Sequence, residues 1–196
     1  MILFPDVIKQ NYLNTTKTDI VSEFYNTRTV LLFGNIDKET ADAIMLQLLH
    51  LNHVSKDPIK LLIDSSGGEI NSGLLIYDIL SSLDTEVDLF CTGQAASIAA
   101  WILASGQKGH RFILRHSYTM IHEPRSLSKV GGFVTDIENM SKKDLITKEK
   151  LNDILAYHTG RTVKEINKLT KLDYYMDAEE SVKFGICDKV VDSIQI

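Results

Sequence analysis

A serine, a histidine and a later carboxylate are the residue types of a nucleophilic acyl-transfer site, and this chain carries them in the order Ser97, His122, acid. In such a set the serine attacks a carbonyl, the histidine removes and returns the proton, and the carboxylate fixes the imidazole tautomer. The acids after His122 include Asp136, Asp144, Asp153, Asp173 and Asp177, and the residues alone do not choose among them. Ser97 opens a run, Ile98–Ala104, that is small or apolar on every face, the mark of a buried helix. A serine there is also a favoured N-cap, the simpler account of the residue taken singly. The same helix N-terminus would offer free N–H groups to a developing oxyanion, and Ala95 and Ala96 would let a substrate backbone approach closely. His122 falls where His122-Glu123-Pro124 leaves a predicted strand; taken singly it reads as an ordinary loop histidine. No G-x-S-x-G elbow is present, and the order differs from the Ser, acid, His order of α/β-hydrolases.

The elements that must position these residues alternate between strand and helix. Strands are predicted over Thr29–Phe33, Ile59–Asp64, Glu86–Thr92, Phe112–Leu114, Tyr118–Ile121 and Ile186–Val191. Helices are predicted over Asp19–Asn26, Lys38–His53, Ile70–Leu83, Phe133–His158, Val163–Thr170 and Ala178–Phe184. In the second of these, Ala41, Ile44, Met45, Leu48 and Leu49 form the apolar stripe. Gly93 marks a predicted change of direction before Ser97, and Ser65-Ser66-Gly67-Gly68 forms a strand-to-helix junction able to present bare N–H groups. The alternation gives an α/β class in one domain over 1–196, with an irregular N-terminal arm over 1–18.

Composition removes several function classes. The chain has 196 residues, is 44% hydrophobic and 24% charged, and carries a net charge of −5 with no dense Lys/Arg stripe. That argues against nucleic-acid or anionic-membrane binding. No Cys/His cluster has zinc spacing, and Cys91 and Cys187 lie in apolar runs as buried reduced thiols. No P-loop or G-x-G-x-x-G supports nucleotide binding. No metal or organic cofactor is expected. Met1–Gln10 has no signal-peptide pattern and no stretch has transmembrane length, so a cytoplasmic location is expected.

Taken together, the motifs resemble the ClpP family, the proteolytic subunit of the ATP-dependent Clp proteases. Gly93-Gln94-Ala95-Ala96-Ser97 resembles its nucleophile motif, and Met120-Ile121-His122-Glu123-Pro124 is similar to its histidine motif. Thr135-Asp136-Ile137-Glu138 and Tyr157-His158-Thr159-Gly160 resemble the two ends of its handle helix. Thr170-Lys171-Leu172-Asp173 and Ala178–Gly185 resemble its acid-bearing segment. The resemblance runs from about Ser22 to Val191. It implies a crotonase-like fold of stacked ββα units, with a protruding handle over 130–158. It implies a serine endopeptidase with Ser97 as nucleophile, His122 as base and Asp173 as orienter, and an oxyanion hole from the N–H groups of Gly68 and Ile98. It implies two stacked seven-membered rings, homomeric or mixed with a second ClpP-type subunit. It also implies a partner AAA+ unfoldase, which uses the ATP and feeds in unfolded polypeptides.

The chain departs from the family pattern at identifiable places. Ser66 stands for a proline, Ile98 for a common methionine and Glu123 for a frequent glutamine. Arg125–Lys129 replaces a glycine-bearing loop, and Tyr174 replaces an arginine used between rings. Lys60 and Leu62 replace aromatic residues of the unfoldase-docking pocket, and the arm lacks the usual Gly-Glu-Arg segment. These changes raise an alternative: a divergent paralogue acting mainly as a structural or regulatory ring subunit, with low activity alone. A third reading, a crotonase-type acyl-CoA enzyme, shares the fold but has no use for this serine.

Overall fold

Seven strands and a long helix arrange the chain around one fully buried helix. The computed structural model describes residues 5–10, 15–125 and 133–195. The main sheet contains β3 (Thr29–Ile36), β4 (Ile59–Gly68), β5 (Val87–Ala96), β6 (Arg111–Leu114) and β9 (Lys189–Val191), all parallel and in that order. β7 (Tyr118–Ile121) runs parallel to the far end of β5, and β8 (Tyr174–Met176) is antiparallel to β7. Parallel neighbours need a crossover. α2 (Lys38–Val54), α3 (Ile70–Ser82) and α4 (Ile98–Ala104) supply three in succession. The central strands are covered on both faces, which explains their continuous apolar runs, Leu61-Leu62-Ile63 and Leu89-Phe90-Cys91.

Every residue of α4 is buried, as its all-round apolar composition requires. It packs on β4, β5, α3 and α5 (Val134–Thr159). On α2 the buried stripe is Ala41, Ile44, Leu48 and Leu51, whereas Leu49, included from spacing, is 41% exposed. The α/β class expected from the alternation is the observed one.

Among the described residues, α5 is buried at its C-terminal end. Its buried residues are Leu151, Asn152, Leu155 and Ala156, and the Trp101 indole N–H of α4 donates to the Leu151 carbonyl at 2.8 Å. At about 1.5 Å per residue, the helix spans roughly 39 Å, so its N-terminal part projects from the core as a handle. The expected start of that handle, Val130–Gly132, lies outside the described residues. α6 (Val163–Leu169) and α7 (Ala178–Phe184) both begin with capping boxes, Thr162/Glu165 and Asp177/Glu180. Gly160 and Gly185 close α5 and α7 in left-handed conformations.

The N-terminal arm corrects one expectation. β1 (Asp6–Gln10) and β2 (Thr15–Asp19) pair antiparallel, so the arm is not irregular throughout; residues 1–4 and 11–14 lie outside the described ones. β-branched Thr15, Thr16 and Thr18 favour extended backbone. β2 is exposed at nearly every position, so no apolar alternation signals it. α1 (Ile20–Asn26) follows, capped by the Asp19 carboxylate on Ser22 N–H.

Candidate active site

Two irregularities in the sheet bring the candidate residues together. Between Cys91 and Ala95, three residues of β5 (Thr92, Gly93 and Gln94) oppose the single Asp64 of β4, and the Asp64 carboxylate accepts from Gln94 N–H at 3.2 Å. The chain therefore does not turn at Gly93, as the glycine suggested; the strand bulges and runs on to Ala96. Beyond the bulge β5 leaves β6 and pairs with β7, which ends next to His122. A second bulge sets Ser65 and Ser66 of β4 against Gly34 of β3. Buried Ser65 holds it closed: its hydroxyl donates to the Gly34 carbonyl at 2.6 Å and accepts from Gly67 N–H at 3.0 Å. The loss of proline at Ser66 thus leaves a junction that is still pinned, by a residue the sequence pattern did not single out.

Ser97 sits on the sharp turn between β5 and α4 with φ 53° and ψ −135°, a conformation L-residues rarely adopt. Its N–H donates to the Met120 carbonyl of β7 at 2.8 Å, and its own carbonyl accepts from Ala100 N–H. The N-cap account of this serine fails on the side chain: Oγ makes no capping hydrogen bond. A strained backbone and an unengaged hydroxyl at one residue are the features of a nucleophile elbow, reached here without the G-x-S-x-G signature.

His122 and Asp173 flank the end of the β7–β8 ladder. Its last pair is Ile121 with Tyr174, so the next step outward sets His122 opposite Asp173. The Glu123 N–H donates to the Thr170 carbonyl at 2.6 Å and holds the two segments together. The side chains nevertheless have other partners. His122 Nδ1 donates to the Glu123 carbonyl at 2.6 Å. Both Asp173 oxygens accept from Arg125 Nη2, at 2.8 and 3.0 Å. The Glu123 carboxylate pairs with Lys148 of α5.

Ser97, His122, Asp173, Gly68 and Ile98 all line one cleft of about 630 Å³ between the head and α5. Ile70, Ile98, Trp101 and Leu151 make part of its wall apolar, while Glu69, Lys143 and Asp144 add charge. Ile98 is the first residue of α4, so its N–H has no intrahelical acceptor. The glycines are required by contact. A Cβ on Gly67 would lie 2.6 Å from Ser97 Cβ, and one on Gly68 would lie 2.1 Å from the Ile36 carbonyl oxygen. Of the acids left open by the sequence, Asp173 alone stands across from His122; Asp144 lines the cleft from α5.

The family model described as Clp protease matches residues 13–194. The chain belongs to the Clp protease family. Its mixed sheet, parallel except at β8, and its projecting helix agree with the ClpP fold, and membership makes it a ClpP-type serine peptidase by family.

Other chemistry-bearing residues are explained by packing. Among the described residues, one His/Asp/Glu group has metal-compatible spacing: Glu86, Asp88 and His110. Its two imidazole nitrogens face different carboxylates, Nδ1 at 2.8 Å from Asp88 and Nε2 at 3.5 Å from Glu86. That is the geometry of an imidazole bridging two acids rather than of three ligands on one centre. Cys91 and Cys187 are free and buried, and burial pushes the Cys91 thiol up to about 12. Lys60 lies in register with Asp88, so the expected charge in the docking pocket has an acid on the adjacent strand. Beside it Leu62 and Phe90 are buried, and Phe90 stacks on Phe112 with centroids 4.9 Å apart. Among the described residues, no helix is long and apolar enough to cross a membrane.

Proposed function

We propose that the chain is the proteolytic subunit of an ATP-dependent Clp protease, a serine endopeptidase in which Ser97 attacks, His122 moves the proton and Asp173 orients the imidazole. The observation that carries this reading is the strained Ser97, whose hydroxyl caps nothing and lines the same cleft as His122 and Asp173. A proton on Nδ1, donated to the Glu123 carbonyl, leaves Nε2 as the base. Ser97 Oγ adds to the peptide carbonyl as Nε2 takes its proton. The oxyanion accepts hydrogen bonds from the N–H groups of Gly68 and Ile98. The imidazolium then protonates the leaving amine, and water releases the acyl group by the same steps in reverse.

Family membership supports assembly into stacked heptameric rings, homomeric or mixed with a second ClpP-type subunit. It likewise supports a AAA+ unfoldase that delivers unfolded polypeptides to the enclosed chamber. The exposed Phe133, Val134, Leu145 and Ile146 on or beside the handle are apolar surface suited to such contacts. The test is labelling by a fluorophosphonate together with turnover of an unstructured fluorogenic peptide. Both should be lost in Ser97→Ala, and unchanged turnover in that variant would remove the assignment.

One observation favours a second reading, a ring subunit with low activity alone: Asp173 is held by Arg125 rather than by His122. Turnover per Ser97 site, isolated and mixed with a serine-inactivated partner subunit, separates the two readings.

A further inference from the structure

We infer that Arg125 is a latch on the catalytic acid: while its guanidinium holds Asp173, the serine peptidase site stays incompletely assembled, and turnover requires Asp173 to exchange Arg125 for His122. The inference rests on the roles proposed above for Ser97, His122 and Asp173. The backbone is already set for the exchange, because the β7–β8 register brings His122 and Asp173 opposite one another and the Glu123–Thr170 hydrogen bond fixes their separation. The side chains have other partners. Asp173 gives both oxygens to one Arg125 nitrogen, and His122 Nδ1 gives its proton to a neutral carbonyl instead. A carbonyl fixes the tautomer but stabilises the imidazolium less than a carboxylate does. In the exchange no proton changes owner: Nδ1–H turns from the Glu123 carbonyl to Asp173, and the guanidinium moves to solvent.

Exposure makes the latch reversible. The Arg125 side chain is 66% exposed and that of Asp173 38%, so water replaces the pair readily. An exposed pair of this kind shifts an equilibrium by only about two- to fivefold, and salt weakens it. The latch is also tied to the handle. Arg125 lies two residues after Glu123, whose carboxylate is paired with Lys148 of α5. A displacement of α5 therefore pulls on the segment that carries both His122 and Arg125.

The experiment compares the full-length wild type with Arg125→Leu, Arg125→Lys and Arg125→Leu/Asp173→Asn, using peptide turnover per fluorophosphonate-reactive site across pH and salt at a matched native mass. Arg125→Leu should raise kcat about two- to fivefold at low salt, with Arg125→Lys falling between it and the wild type. The wild type should approach Arg125→Leu as salt rises. Carboxylate contact favours the imidazolium, so the acid limb of kcat should move to higher pH in Arg125→Leu and return when Asp173→Asn is added. The other charges around the cleft, Glu69, Lys143 and Asp144, together with Glu123, Lys148 and Lys171, are the same in every variant. Equal or lower kcat in Arg125→Leu with an unmoved acid limb overturns the latch. Turnover that survives Ser97→Ala overturns the serine assignment instead.

Discussion

Gly67 and Ser97 are in contact across the head of the cleft: a methyl group on the Gly67 Cα would stand 2.6 Å from Ser97 Cβ and 2.7 Å from the Ala96 carbonyl oxygen. The end of β4 is therefore the surface against which the nucleophile turn is moulded. Gly67→Ala has two effects, a clash that displaces Ser97 and a side chain at φ 92°. Small displacements at a reacting centre cost on the order of a hundredfold in rate, whereas the backbone strain costs about 1–3 kcal/mol. Gly67→Ala should lose at least that hundredfold in kcat/KM while a folded chain remains by circular dichroism. Wild-type turnover by this variant would show that the contact does not set the Ser97 position.

The strain at Ser97 predicts opposite effects on activity and stability. Ser97→Gly removes the hydroxyl and relieves φ 53°. Loss of a triad nucleophile lowers kcat by about 10⁶ in a comparable enzyme. Relief of one strained backbone position returns about 1 kcal/mol, or roughly 2–4 °C in Tm for a chain of this size. A lower melting temperature for Ser97→Gly than for Ser97→Ala would argue that the conformation is not strained.

Buried Arg111 pairs with the partly buried Asp188, a contact that no local sequence pattern marks. Arg111 is 3% exposed, and its guanidinium donates to both Asp188 oxygens and to the carbonyls of Ala104 and Gly185, joining β6 to the ends of α4 and α7. Burial pushes the Asp188 carboxyl up, but hydrogen bonds from Arg111 and from Gly109 N–H more than offset it, and the net direction is down. A lowered folded value stabilises the fold above the unfolded value of about 3.9 and loses that contribution as pH falls through the folded one. Asp188→Asn leaves the Arg111 charge buried and should cost about 3–5 kcal/mol. Urea midpoints at pH 7 and pH 3 should differ less in Asp188→Asn than in the wild type; an equal difference would exclude Asp188 as a source of acid sensitivity.

The parts of this fold legible in the sequence are those written in local pattern. The all-apolar run after Ser97, the α2 stripe, the Asp177/Glu180 box and the Gly160 and Gly185 stops each depend on neighbours within a few residues. The two sheet bulges do not. They depend on which distant strand faces Asp64 or Gly34, so the strand predicted over Glu86–Thr92 stops four residues short of the observed end of β5 at Ala96, and nothing local in Ser65-Ser66-Gly67-Gly68 shows that the Ser65 hydroxyl pins the junction. β8 leaves no signal in the sequence because a three-residue strand carries too short a pattern. The motif resemblance supplied Asp173 from among several acids. It could not supply Arg125, whose partner lies 48 residues away in a segment that only the β7–β8 pairing brings near.

The base of the handle carries a second pH dependence, with a different window. His158 lies in the last turn of α5, half-buried, and its Nε2 shares a 2.9 Å hydrogen bond with the Tyr77 hydroxyl of α3. Burial, with Arg111 adding to it, lowers the His158 pKa from its usual value. The neutral imidazole is therefore the form that the fold accepts. Below about pH 6.5 the unfolded chain binds a proton that the folded chain resists, so stability falls as pH drops from there through the lowered folded value. His158→Gln keeps a hydrogen-bonding group for Tyr77 but does not titrate. Its urea midpoint should be flatter than that of the wild type between pH 7.5 and pH 5. Tyr77→Phe leaves the imidazole without that partner and should cost about 1–3 kcal/mol at pH 7.5. Because this contact joins α3 to the anchored end of α5, amide exchange at 151–159 should accelerate in the wild type as pH falls below 6.5, after correction for intrinsic exchange. Exchange there that ignores pH in the wild type, or that follows pH equally in His158→Gln, would remove His158 as the titrating group.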